Sequence, residues 1–178
     1  MIIVEGSDGV GKTQLCHTLC KELGFMYSHM GRLPDDWRYP ESYRVLIGGN
    51  IVQDRFHMSE LVYGGVLRDG PQLSAIEYAM IDAWLIVAGA VTVVVVAPPE
   101  RIQERWRDSE QMYSLDDALR VNERFREIAA RQYLYGGWAP ILNVVYAESQ
   151  WPSQSANLIR QIIKVQGKLA ELRNRLST

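Results

Sequence analysis

Between the apolar run Ile2–Val4 and the first helix-period segment stands Gly6-Ser7-Asp8-Gly9-Val10-Gly11-Lys12-Thr13, which fits G-x-x-x-x-G-K-[ST]. Its glycines let the backbone wrap so that several N–H groups converge on phosphate oxygens. The helix that follows adds a favourable dipole at its amino end. Lys12 is expected to reach the β- and γ-phosphates and the Thr13 hydroxyl to ligate Mg²⁺. Gly6, Gly9, Val10 and Gly11 supply the remaining contacts of a nucleotide-phosphate cradle. A loop of this kind works only between a strand and a helix, so the pattern constrains the fold as well as the ligand.

The rest of the chain keeps that rhythm. Leu15, Cys16, Leu19, Cys20 and Leu23 form one apolar stripe, and Gly24 is placed to end the helix in a left-handed cap. Phe25–Met30 and the stretch NIVQDR read as strands, VTVVVVA as a strand buried on both faces, and ILNVVY as a fifth. Between them lie helical stretches over Phe56–Arg68 and Ser74–Ala88, split by the turn signal RDGP, and another opening at PPERIQERW. Ser114-x-x-Asp117 can cap a further helix, and Pro152–Leu176 closes the chain as a helix burying Leu158, Ile162, Leu169 and Leu172. Strand and helix alternating in this way predict an α/β fold, a five-stranded parallel sheet with helices on both faces, formed by residues 1–178 as one domain. Ligands then belong at the carboxyl ends of the strands.

The formal net charge of −2 leaves no basic footprint for duplex nucleic acid. Its two cysteines share an apolar stripe and lack partners for a metal site, so buried thiols are expected. No apolar run approaches a membrane span, and MIIVEG meets Glu5 too early for a signal peptide. The expected compartment is a cytoplasm, a host's if the origin is viral. Partners are small nucleotides, with neither nucleic acid nor membrane expected.

The phosphate loop does not say what is done with the phosphate. No N-K-x-D guanine-reading motif is present, and the third strand ends in Asp54-Arg55 where a hydrolytic motor would carry Asp-Glu. A carboxylate there can orient Mg²⁺ through water, and the planar fork of Arg55 matches a second anion.

VEGSDGVGKT followed by DRFHMSELVYG resembles the thymidylate kinases, with Asp54, Arg55, Phe56, Ser59 and Tyr63 in register with their second signature. GRLP (Gly31–Pro34) is similar to their Arg-x-Pro element, and PPERIQERWR to the start of their mobile lid, here about 105–118. The resemblance implies a P-loop nucleoside monophosphate kinase fold and a Mg²⁺-dependent transfer from ATP to a deoxynucleoside monophosphate. Lys12 and Thr13 would serve ATP and Mg²⁺, and Asp54 would steady the metal. Asp8 would meet the acceptor's 3′-hydroxyl, and Arg32 and Arg55 would clamp its 5′-phosphate. Ser59 and Tyr63 would line the acceptor site. The phosphate loop has no arginine of its own, so Arg105 and Arg107 of the lid would neutralise the transition state. As plain residues these two could equally pair with Glu104 or Asp108 on a wet helix face. Relatives often dimerise through helices near Phe56–Ala88, a stretch rich in large apolar residues.

Two departures stand out. Gly64 follows Tyr63 where the family carries Gln, and the segment from Leu33 to Gln53 is far shorter than the family's base-reading segment. Trp37, Tyr39 and Tyr43 are its aromatics; each can stack on a base or patch the core. Relaxed base choice is therefore expected, with dTMP the first acceptor and a purine such as dGMP admitted beside it. A deoxynucleoside kinase remains an alternative, with Asp35 or Asp36 as the base such a reaction needs, as does a nucleotide-binding regulatory module without turnover. His17, His29 and His57 fit no metal or triad spacing and are expected at the surface or in packing.

Overall fold

In the computed structural model the described residues are 1–31, 40–106, 112–131, 133–134, 139–140, 144–148 and 155–176, with side chains described outside 129–156, 173 and 176. The elements run β1 (Ile2–Gly6), α1 (Lys12–Leu23), β2 (Met26–His29), α2 (Glu41–Arg44), β3 (Ile51–Asp54), α3 (His57–Leu67) and α4 (Ala75–Val87). They continue with β4 (Val91–Val96), α5 (Pro99–Arg105), α6 (Leu115–Arg131), β5 (Tyr133–Leu134), β6 (Ala139–Pro140), β7 (Val144–Glu148) and α7 (Ser155–Leu176).

Five strands form one parallel sheet in the order β2-β3-β1-β4-β7. The apolar strands β1 and β4 sit inside it, as continuous hydrophobic runs require. Side chains alternate as a strand's two-residue period demands. Ile2, Val4, Val91, Val93 and Val95 face Leu15, Cys16 and Leu19 of α1 and Leu158, Ile162 and Leu169 of α7. On the opposite face Ile3 meets Tyr43, Phe56, Leu73, Ile81 and Leu85. Beside them Val94 meets Met58 and Val62 of α3 with Val121, Phe125 and Ile128 of α6. The anticipated helices form within a residue or so of their expected limits, α7 being described from Ser155 onward. Leu172, expected inside, is 36 % exposed near the end of α7. The short α2 and the small antiparallel pair β5–β6 were not anticipated.

Local signals act where the sequence put them. Gly24 closes α1 at φ 68°, its N–H donating to the Cys20 carbonyl. The Ser114 hydroxyl accepts from the Asp117 N–H at 3.2 Å and donates to its carboxylate at 2.8 Å, capping α6. Cys16 is buried and burial pushes its thiol well up, so it stays protonated. Cys20 is half-buried.

Register positions the site. Val4 pairs with Asp54 and Gly6 with Val95. The carboxyl ends of β1 and β3 therefore lie side by side, setting Asp54 and Arg55 against the loop that leaves β1. Among the described residues no helix is long and apolar enough to cross a membrane.

Candidate active site

The loop after β1 is shaped by a close approach. Gly6 has φ 146°, and a Cβ there would lie 2.3 Å from the Val95 carbonyl oxygen, so only glycine lets the chain pass β4. Ser7 is buried and its hydroxyl donates to the Ala118 carbonyl at 2.9 Å, tying the loop to the first turn of α6. Lys12 is almost fully buried. Its ammonium donates to the Ser7 carbonyl at 2.6 Å and lies 3.5 Å from Asp8. Burial pulls Lys12 down to about 8, with the Arg55 charge adding to the effect and Asp8 opposing it.

Thr13 and Asp54 meet as expected. The Thr13 hydroxyl donates to Asp54 Oδ2 at 2.8 Å, and the Tyr27 hydroxyl donates to the same oxygen at 3.2 Å. His29 Nδ1 stands 3.8 Å away. Asp54 Oδ1 is buried without a hydrogen-bond partner among the described residues. A buried carboxylate oxygen beside a threonine hydroxyl is an oxygen donor set of the kind Mg²⁺ takes. These two residues fit the metal the loop implies.

Arg55 carries the second half of the site. It is a non-glycine residue at φ 68°, a conformation that costs about 1–2 kcal/mol for an L-residue. Its N–H donates to the Val4 carbonyl at 2.9 Å, which holds the strained turn against β1. The turn sends the guanidinium to Asp8, with which it forms an ion pair, and over the Tyr63 ring at 4.8 Å. The Tyr113 hydroxyl donates to the other Asp8 oxygen and lies 3.3 Å from the Tyr63 hydroxyl. Burial alone would raise Asp8, but Lys12 and Arg55, with the hydrogen bonds of Tyr113 and Arg55, bring it to about 2. Tyr63 is pushed up to about 12 by burial, and Tyr113 rises further for the same reason, reinforced by Tyr63 and Asp8. Both phenols stay protonated donors.

Sequence reasoning missed Tyr113 and Glu5. Glu5 is fully buried in β1. Its Oε1 accepts the N–H groups of Phe56, Met58 and Ser59 at 3.0, 3.1 and 3.2 Å, and its Oε2 accepts the Ser59 hydroxyl. Burial pushes its carboxyl up, against the pull of these bonds. A charge inside an otherwise apolar strand had to be paired, and that was the available signal. For Tyr113 no local signal exists.

The Asp8, Arg55 and Tyr63 side chains line a cavity of about 790 Å³, within the range of small-molecule sites. Ser59 lines it too, with its hydroxyl committed to Glu5. Tyr43, a stacking candidate, is fully buried. Its ring meets Phe56 edge-on at 4.8 Å and His57 at 6.3 Å, so it supports the cavity wall and offers no exposed face in this structure. His57 is a packing residue, buried against Tyr78 at 4.5 Å and bonded to Asp82 at 2.9 Å. Arg105 is exposed on α5 and donates to the Gly9 carbonyl at 3.3 Å, within reach of the phosphate loop. Arg32, Trp37 and Arg107, like Asp35, Asp36 and Tyr39, lie outside the described residues.

Solved structures share this architecture. The YorR protein of Bacillus subtilis, in complex with phosphorylated GDP, superposes with a TM-score of 0.71 at 23 % identity, covering 94 % of this chain and 97 % of that one. The chain has the P-loop kinase fold. A gluconokinase from Sinorhizobium meliloti 1021 matches with a TM-score of 0.51 at 14 % identity, over 99 % of this chain and 94 % of that one. Deoxyadenosine kinase from M. mycoides with bound dCTP matches with a TM-score of 0.50 at 17 % identity, over 96 % and 100 %. No family model matches the chain, and no curated protein matches it in sequence.

Proposed function

We propose that this protein is a kinase that transfers the γ-phosphoryl group of ATP to a deoxynucleoside monophosphate, with dTMP and dGMP as candidate acceptors. The observation that carries this reading is Arg55: a strained cation at the junction of the phosphate loop and the cavity, paired with a loop carboxylate. Strain of this kind persists where it serves a site. The thymidylate-kinase motifs support it, as does the likeness to the YorR protein, solved with phosphorylated GDP, and to a deoxyadenosine kinase.

Phosphoryl transfer asks the protein for positioning and charge neutralisation. A monophosphate is already an anionic nucleophile at neutral pH and needs no strong base. It needs cations that let two phosphates approach. Lys12 would hold the donor phosphates, and Arg55 would exchange the Asp8 carboxylate for the acceptor's phosphate. Asp8, so released, is set to accept the 3′-hydroxyl. Arg105 would close on the donor from the lid. Mg²⁺ held by Thr13 and Asp54 would neutralise donor charge when bound.

A coupled ADP-release assay across the natural nucleosides and nucleoside monophosphates tests this. Release with monophosphates but not nucleosides is expected. Preference for a free nucleoside would favour the deoxynucleoside kinase alternative, for which the M. mycoides enzyme gives the structural likeness. ATP binding without release would leave a regulatory module. The dimer expected from the sequence is also a proposal; Ile76, Met80 and Val87, exposed along α4, form its available face, and sedimentation velocity tests it.

A further inference from the structure

Three carboxylates among the described residues line the cavity: Asp8, Glu60 and Asp117. Two have no oxygen to spare. Asp8 is taken at Oδ1 by Arg55 and at Oδ2 by Tyr113. Asp117 is taken at Oδ1 by Arg120 and at Oδ2 by Ser114. Glu60 differs. Among the described residues both of its hydrogen bonds fall on Oε1, from the Gln72 N–H at 2.9 Å and from the Arg68 guanidinium, while Oε2 takes none. Glu60 lines the cavity and is only 8 % exposed, so its carboxylate is largely removed from bulk water.

The device depends on Gly64. A Cβ there would lie 2.5 Å from the Pro71 Cα, 2.8 Å from Arg68 Nη2 and 3.0 Å from the Gly70 carbonyl oxygen. The turn after α3 closes onto the helix only because that side chain is absent. Its closure brings the Gln72 N–H and the Arg68 guanidinium onto one Glu60 oxygen. The space that a side chain at position 64 would take is thus occupied by an oriented carboxylate–guanidinium pair on the cavity wall.

We propose that Glu60, held in place by Arg68, reads the base of the acceptor and selects guanine. This rests on the monophosphate reading of the cavity above. Oε2, with its lone pairs unused, accepts, and guanine is the base that presents two adjacent donors, N1–H and N2–H, that can share that one oxygen. Its neighbouring O6 is an acceptor, matched by the N–H groups that Arg68 keeps beyond its bond to Glu60. Thymine offers a single N–H on that edge, and cytosine and adenine place a ring acceptor beside their amino group. The two candidate acceptors are thereby ordered, guanine before thymine.

Calorimetric titration of the full chain with dGMP, dIMP, dTMP, dAMP and dCMP tests this, with ATP affinity as the control for folding. Binding of dGMP about tenfold or more tighter than of dTMP, dAMP or dCMP is expected, with dIMP weakened by loss of the N2 donor. Glu60→Gln should abolish the preference while ATP affinity stays. If Glu60→Gln does not fold, Arg68→Gln should reduce the preference instead. Equal binding of all bases, or a guanine preference unchanged in the variants, overturns the assignment. Turnover read in parallel separates the two ideas: guanine-selective binding without ADP release removes the kinase reading alone, and ADP release with thymine preferred removes this one alone.

Discussion

Arg55, from the end of β3, forms an ion pair with Asp8 inside the phosphate loop. One contact thus joins the loop that would hold the donor to the residue that would hold the acceptor. The pair is partly shielded from water, and the Tyr63 ring covers the guanidinium.

Arg55→Gln removes the cation and keeps much of the side chain's length. Turnover of the monophosphate acceptor is expected to fall by about 10²–10³, the usual loss when one charge-stabilising donor leaves a polar reaction centre. ATP affinity should change little. Steady-state kinetics with each substrate varied in turn check this, and a loss confined to the ATP KM would contradict it.

Lys12 predicts a proton linkage. Burial holds its ammonium near 8, against 10.5 in an unfolded chain, so between those values the folded state carries fewer protons than the unfolded one. Stability therefore rises with pH across that window, and below it the charge is buried at a cost. Donor phosphates favour the charged form. ATP binding should take up protons near pH 8.5 and almost none near pH 6.5, read by calorimetry in buffers of different ionisation enthalpy. Equal uptake at both values would show that the lysine is not depressed.

Glu5→Ala removes the acceptor of three backbone N–H groups and a hydroxyl, all buried. A loss of about 3 kcal/mol or more is expected in denaturant unfolding, because these donors have nowhere to turn. A change under about 1 kcal/mol would mean that water reaches the amino end of α3.

Gly64→Ala forces the Pro71 backbone outward. A cost of about 1–3 kcal/mol is expected from overpacking, with base selectivity lost alongside it. The melting temperature and the dGMP-to-dTMP ratio should fall together. A stable variant with unaltered selectivity would separate the turn from Glu60.

What the chain's letters disclosed was what lies close together along them. The phosphate loop, the Gly24 cap, the Ser114–Asp117 cap and the Asp54-Arg55 strand end each depend on a few neighbouring residues, and each lies where its pattern put it. The left-handed turn at Arg55 was invisible, since arginine carries no preference for it. Glu5 binds residues more than fifty positions away, and Tyr113 reaches Asp8 across more than a hundred. Only the sheet order makes such partners. Gly64 stood out as a departure, but its meaning required the turn that packs on it. Tyr43 was open between stacking and packing, and its burial between Phe56 and His57 places it in the core.

Glu5 has one more effect. The first amides of α3 would otherwise form a natural oxyanion port, and the chain plugs that port with a carboxylate of its own. The acceptor phosphate of the proposed reaction would find no backbone berth there and would be gripped by side chains such as Arg55. A side-chain grip of that kind would leave the acceptor free to arrive, turn and depart while the donor stays anchored.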